Sequence, residues 1–244
     1  MPVNAWLRGG TDAGQSASPG RWSRAAWLVV LLGAGYSFLA ALLRQPGDAS
    51  RLWFLDPALM AVFVAGLIVR QRRAGPGRPV SSSRRRVALL FVGGSWLTGM
   101  LYELSLRTGA SGFGGMHPDT TTSFLLAQGY YVPYAVGGWL LARRYGYSAE
   151  TVFWTGALSS LYELITIGVP AVAGHLSLWL LAPLLGGYYL TVYGYILTLP
   201  LLFMDESHLW AAAPRPLSRT RRALLGVALG LACWAVFVAW AALF

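Results

Sequence analysis

The sequence predicts an all-α integral membrane protein with seven transmembrane helices, its N-terminus inside and its C-terminus outside, and an internal parallel repeat of two-helix units. Three observations carry this prediction. The 244 residues are 56% hydrophobic and only 11% charged, with a mean hydropathy of +0.52, which lies outside the range of soluble domains. Seven stretches are apolar over about the twenty residues that a helix needs to cross the hydrocarbon. The arginines are distributed very unequally between alternate loops.

In chain order, residues 1–24 are rich in Gly, Ser and Ala, carry Arg8, Arg21 and Arg24, and have no apolar period. They are expected to form a disordered cytoplasmic tail. The first long apolar run starts near Ala25 without a signal-peptide cleavage site. The seven spans are expected at 25–43, 53–69, 87–106, 121–142, 150–168, 178–203 and 223–244. In the second, Asp56-Pro57 has the order of a capping residue followed by proline that opens helices. The sixth is long, and Pro183 with Gly186-Gly187 is expected to break or kink it. With the N-terminus inside, the cytoplasmic segments hold sixteen arginines, and the outer loops hold only Arg44, Arg51 and Arg107.

The net charge of +10 comes from nineteen arginines, with no lysine. A lysine amine, and with it a retinal Schiff base, is therefore excluded. A basic excess of this kind belongs to cytoplasmic loops, including the linker 70–86, facing anionic headgroups. Membrane lipids are the expected neighbours, and nucleic acid is not an expected partner. Cys233, the single cysteine, can form no internal disulfide and is assigned to packing.

The repeat is read between 96–139 and a stretch about sixty residues later. Tyr102-Glu103-Leu104 returns as Tyr162-Glu163-Leu164, His117 as His175, and Gly129-Tyr130-Tyr131 as Gly187-Tyr188-Tyr189. The copies, about 87–146 and 150–206, each contain two spans. They enter the membrane with the same polarity, so a pseudo-twofold axis along the membrane normal should relate them. Helices three and five then run outward, placing Glu103 and Glu163 roughly 5–8 Å inside the outer end at about 1.5 Å per residue.

An ionisable group at such a place costs on the order of 3 kcal/mol and usually faces a bundle interior or a polar cavity. Withdrawal from water disfavours the charged form of a carboxyl, and two carboxyls in unlike surroundings can divide acid and base roles. Glu103, Glu163 and Asp56 are the candidate acid–base groups. Tyr102, Tyr162, His117, His175, Gln128, Tyr130, Tyr131, Tyr188 and Tyr189 are the candidate substrate contacts, with the histidines in loops above the acids and the tyrosine pairs deeper. The alternative is that the glutamates pair with tyrosine or arginine only to fix helix packing. For Asp56 the alternative is a helix cap. The histidines lack ligand spacing, so no metal is expected. Glu150, Asp205, Glu206 and His208 lie at the cytoplasmic ends and are expected to be solvated. Gly33-Ala34-Gly35, Gly93-Gly94 and Gly137-Gly138 should let helices approach closely. No P-loop, dinucleotide fingerprint, HExxH or GxSxG element is present.

From Glu103 the chain reads ELSLRTGASGFGGMHPDT, followed by Pro133 and Trp139. This line resembles the signature of the membrane-bound carotenoid 1′,2′-hydratase family, at Glu103, Thr108-Gly109, Phe113-Gly114, Asp119-Thr120, Pro133 and Trp139. The family's second signature resembles Glu163-Leu164, Pro170-Ala171-Val172, Gly174, Trp179 and Tyr188-Tyr189. Spacings differ by a residue or two, Val169 stands where the family has aspartate, and the Gly-Ile-Pro after Tyr-Tyr is missing. The resemblance covers about ninety residues. It implies addition of water across a terminal isoprenoid double bond without a redox cofactor, with a lipid-soluble substrate, one glutamate protonating the alkene and tyrosine ring faces stabilising the cation. With water excluded, the same pocket would deprotonate or cyclise. Two further readings stand beside this one: a small transporter or channel with Glu103 and Glu163 as coupling carboxylates, and a non-catalytic membrane interaction protein.

Overall fold

The computed structural model describes residues 22–43, 54–72, 84–105, 117, 119–170, 181–204 and 217–244. Among them there are helices and turns and no strand. The helices are α1 (Arg24–Leu43), α2 (Leu55–Arg72), α3 (Arg84–Ser105), α4 (Thr120–Tyr145), α5 (Ala149–Ser159), α6 (Ala182–Leu202) and α7 (Arg219–Ala241). Among the described residues, four of them, α1, α3, α6 and α7, are long and apolar enough to cross a membrane. The other three have identifiable reasons for falling short. α2 is 18 residues long and ends in Arg70-Gln71-Arg72. α4 begins with three threonines and a serine, contains Gln128 and Pro133, and ends in Arg143-Arg144. α5 is interrupted at Ser160.

That interruption departs from the continuous span expected at 150–168. After Ser160 come a single helical turn, Leu161–Glu163, and a π-helical stretch, Leu164–Gly168. The local sequence accounts for it. Ser159 and Ser160 both turn their hydroxyls back onto carbonyls of the preceding turn, at 2.6 and 2.7 Å, a contact that bends helices. A run of β-branched residues, Ile165-Thr166-Ile167, and then Gly168 follows, all poor helix formers. α6 itself is unbroken, and 178–180 of the expected sixth span lie outside the described residues. Pro183 falls in the first turn, where its missing N–H leaves nothing unsatisfied, and Gly186-Gly187 continue the helix.

The helices alternate in direction. At one end, the Ser23 backbone N–H before α1 donates to Glu150 Oε2 in the first turn of α5 at 3.2 Å. Arg70, late in α2, donates to the Leu201 and Met204 carbonyls at the end of α6. Glu150, expected to be solvated, is thus tied to the start of α1. Asp205, Glu206 and His208 lie outside the described residues, as do 1–21 of the expected tail. At the opposite end, Ser37 late in α1 meets Asp56 at the start of α2, and Tyr36 packs on Tyr188 early in α6. There too the Trp240 indole of α7 donates to the Leu125 carbonyl of α4 at 2.7 Å. α6 is the central helix, packed on α1, α2, α3 and α5, while α7 covers α4 and α5.

Glycine sets the closest crossings. A Cβ on Gly33 of α1 would lie 2.6 Å from Thr191 Cβ and 2.9 Å from the Gly187 carbonyl of α6. Gly146, at φ 62°, closes α4 in the left-handed region and donates to the Ala142 carbonyl, as C-terminal glycines do.

The other end of α4 carries a pH-dependent cap. Asp119 Oδ2 accepts the Thr122 N–H at 2.6 Å, and that bond holds the Asp119 carboxyl below the usual aspartate range. A carboxyl whose folded pKa is depressed stabilises the fold fully above its unfolded value of about 3.9 and loses that contribution as pH falls through the folded value. Amide exchange at Thr122 is expected to accelerate on acidification through that window. Asp119→Asn, which caps nearly as well, should abolish the acceleration, and an unchanged pH response in that variant would remove Asp119 as its source.

Candidate functional site

The end of the bundle that gathers the C-terminal part of α3 and the N-terminal parts of α2 and α6 holds three buried or nearly buried carboxyls. Glu103 of α3 is 5% exposed and Asp56 of α2 is 8% exposed. Glu163 lies in the turn after α5 and borders the π-helical stretch, a distortion found often at functional sites.

Each glutamate is held by a tyrosine of the long helix that follows it. Tyr131 of α4 donates to Glu103 Oε1 at 2.6 Å. Tyr193 of α6 donates to Glu163 Oε2 in a very short contact. Tyr131 reaches Glu103 because its ring lies across Gly99, one turn earlier on α3, where a Cβ would overlap the ring carbons. Tyr134 donates to the Tyr193 carbonyl at 2.9 Å and is 3.0 Å from Ser159 Oγ. That anchors α4, α5 and α6 to one another directly beneath the carboxyls.

The rings form a continuous cluster. Tyr130 is edge-on to Tyr131 at 5.4 Å and to Tyr193 at 5.9 Å, and it stacks on Tyr134 at 5.6 Å. Tyr162 lies between Tyr130 and Trp234 of α7, at 6.5 and 5.4 Å. Among the described residues no arginine acts on either glutamate. The groups that do are Tyr131 and Glu163 for Glu103, and Tyr193 for Glu163. Among the described residues Glu103 Oε2, which is buried, has no hydrogen-bond partner, whereas most buried polar atoms have one.

The other sequence candidates fall in different places. Asp56 is in the first turn of α2, not at its cap, and takes a 2.5 Å hydrogen bond from Ser37 Oγ of α1. Tyr102 and Tyr188 are buried with their hydroxyls 3.4 Å apart. Tyr189, half-buried, is edge-on to Tyr188 at 6.2 Å. Gln128 is used in packing: it accepts from the Trp96 indole at 2.6 Å and donates to the Phe124 carbonyl at 3.0 Å. His117 is exposed, and its Nδ1 accepts the Asp119 N–H at 3.0 Å, within the turn that starts α4. His175 lies outside the described residues. No group of three or more His, Cys, Asp or Glu among the described residues is placed to hold a metal ion.

Tyr193, Tyr134 and Ser37 were not among the sequence candidates. Tyr193 follows Tyr189 by four residues and Tyr134 follows Tyr130 by four, a helical spacing that puts each on its predecessor's face. Ser37 has no comparable signal in the sequence. Comparison with family models, curated proteins and solved structures finds no match to this chain.

Proposed function

We propose that this chain is a multi-pass membrane enzyme that performs acid–base chemistry, hydration or cyclisation, on an isoprenoid-like lipid. In this reading the seven helical segments all span, with the N-terminus inside and the C-terminus outside. The α3–α4 and α5–α6 units form a parallel repeat. The alternation of helix directions, the arginine asymmetry and the recurrence of a glutamate–tyrosine pair in each unit support that arrangement.

The observation that carries the chemistry is Glu103. One of its oxygens is fixed by Tyr131, and the other is buried with no hydrogen-bond partner among the described residues. Leaving such an oxygen unsatisfied costs about 1–3 kcal/mol, a cost that a bound water or substrate would relieve. Surrounding the acids are tyrosine faces, which attract a cation through the ring quadrupole. In the proposed cycle, protonated Glu103 gives its proton to the terminal alkene carbon, leaving a tertiary cation over the rings. Glu163 takes a proton from the water that attacks the cation. Without water, Glu163 takes the proton from the neighbouring carbon and a double bond re-forms. Tyr131 and Tyr193 hold the two carboxyls in place. The resemblance to the carotenoid hydratases points to the same substrate class.

The test is to express the chain in cells that accumulate lycopene-type carotenoids and to weigh the extracted pigments. A product heavier by one water is the expected result for hydration, and an isomer of unchanged mass with altered retention is the expected result for cyclisation. Unchanged pigment, together with glutamate-dependent proton or solute flux in reconstituted vesicles, would replace this reading with transport.

A further inference from the structure

We propose that the end of the bundle opposite the carboxyls holds an anionic phospholipid between α4 and α7, with its phosphate on Arg143, Arg144 and Arg222 and its chains on the apolar flank beside them. This site takes no part in the acid–base chemistry above and does not depend on it.

α4 and α7 run antiparallel: a Cβ on Gly129 would meet Trp240, and one on Gly137 would meet Leu229. At helical spacing, Leu140 and Arg144 continue the stripe of α4 that carries Gly129 and Gly137, and Arg222 continues the stripe of α7 that carries Trp240 and Leu229. The last turn of α4 therefore faces the start of α7, arginine toward arginine. Val136 and Leu140 lie on the α7-facing side of α4, yet they are 36% and 52% exposed. Among the described residues, that end of the interface is open.

The charge gathered there has no counterpart within the described chain. Arg143 and Arg144 close α4, where the negative end of the helix dipole suits them, but Arg219, Arg221 and Arg222 open α7, where the positive end opposes them. Glu150 is the one described carboxylate at this end, and it is turned toward the Ser23 N–H and the Trp154 indole, at 3.2 and 3.3 Å. The arginines themselves meet neutral groups. Arg143 lies 5.2 Å over the Trp139 ring, Arg144 lies 5.8 Å over the Tyr145 ring, and Arg222 Nε donates to the Leu217 carbonyl at 3.1 Å. Those contacts orient the guanidinium groups and leave the terminal nitrogens of Arg222 to donate elsewhere. Arg70, by contrast, is engaged by the Leu201 and Met204 carbonyls.

A phosphodiester supplies the missing anion in the geometry that a guanidinium fork fits, and basic pockets between helices bind such headgroups. The flank selects a lipid over a free anion. Trp139 stands under Arg143 as an indole does at headgroup level, and the open side of Val136 and Leu140 continues from the arginines as a surface for acyl chains.

The experiment is native mass spectrometry of the full chain, purified in detergent and incubated with equal amounts of phosphatidylglycerol and phosphatidylcholine. The parent is expected to retain phosphatidylglycerol preferentially. Arg144→Gln/Arg222→Gln should weaken that retention by about fivefold for each arginine removed, and Arg144→Lys/Arg222→Lys, which keeps the charge, should restore most of it. Arg72→Gln/Arg85→Gln removes the same charge from exposed positions at the same end and should leave retention unchanged. Equal losses in the two glutamine variants would overturn the site in favour of diffuse surface charge. Displacement of the lipid by millimolar inorganic phosphate would reduce it to a free-anion site and overturn it as well. A parent without preference for phosphatidylglycerol would also overturn it, and would assign the counter-charge to the chain's own Asp205 and Glu206.

Discussion

On the proposed acid–base reading, Glu103→Gln is expected to lower conversion of an isoprenoid-like lipid by about 10²–10⁴-fold, the usual contribution of a positioned general acid or base, while the fold melts within a few degrees of the parent. The separation follows from the site's geometry. A glutamine amide keeps an oxygen where Glu103 Oε1 stands, so it can still accept the Tyr131 hydroxyl now bound at 2.6 Å. What it lacks is a dissociable proton. Glu103→Leu is the contrasting variant. It leaves the Tyr131 hydroxyl, itself buried, without an acceptor, so it should lose activity and also about 1–3 kcal/mol of stability. Conversion assays beside thermal melts in detergent distinguish the two losses. Full activity in Glu103→Gln would remove Glu103 from the chemistry and leave it as a packing group held by Tyr131.

How much of this site was legible depended on the kind of signal. Glu103 and Tyr131 could be read because a carboxyl inside an apolar run is conspicuous and because the run recurs. The recurrence aligns Tyr189 with Tyr131, but the tyrosine that holds Glu163 is Tyr193, one turn later on α6. Sequence alignment compares positions along the chain, but contact depends on where α5 ends. The break at Ser160 and the π-helical stretch after Glu163 alter the register in which α5 meets α6. The ingredients of that break were present in Ser159-Ser160 and the β-branched run, and the hydropathy of 150–168 outweighed them. Pro183 does not kink α6 because it stands in that helix's first turn, which suits proline as a helix interior does not. Asp56 with Ser37 was not legible as a pair. Nothing in a lone serine of α1 announces a partner on α2.

Gly230→Leu is expected to destabilise the bundle by about 3 kcal/mol, the upper end for overpacking a filled interior, and to lower conversion although no atom of Gly230 belongs to the site. Gly226 and Gly230 have the spacing that lets helix backbones touch, and the sequence offered it without its being singled out. α7 uses this pair to lie against α5. A Cβ on Gly226 would meet the Thr155 carbonyl at 2.8 Å, and one on Gly230 would run into the Ser159 carbonyl and lie 2.9 Å from Ser159 Cα. These obstacles are backbone atoms, which cannot swing aside as a side-chain tip can, so the helices must separate. Separation reaches the proposed site because Ser159 lies one turn before Glu163 and its hydroxyl is 3.0 Å from the Tyr134 hydroxyl, which in turn donates to the Tyr193 carbonyl. Moving α5 therefore shifts Glu163 relative to Tyr193. Gly93→Ala supplies the control, since a Cβ there meets nothing within 4 Å; replacing a mid-helix glycine in open space should gain up to about 1 kcal/mol. Thermal melts of both variants, read beside their conversion rates, check the argument: a Gly230→Leu protein as stable and active as the parent would mean that α7 does not set the position of α5.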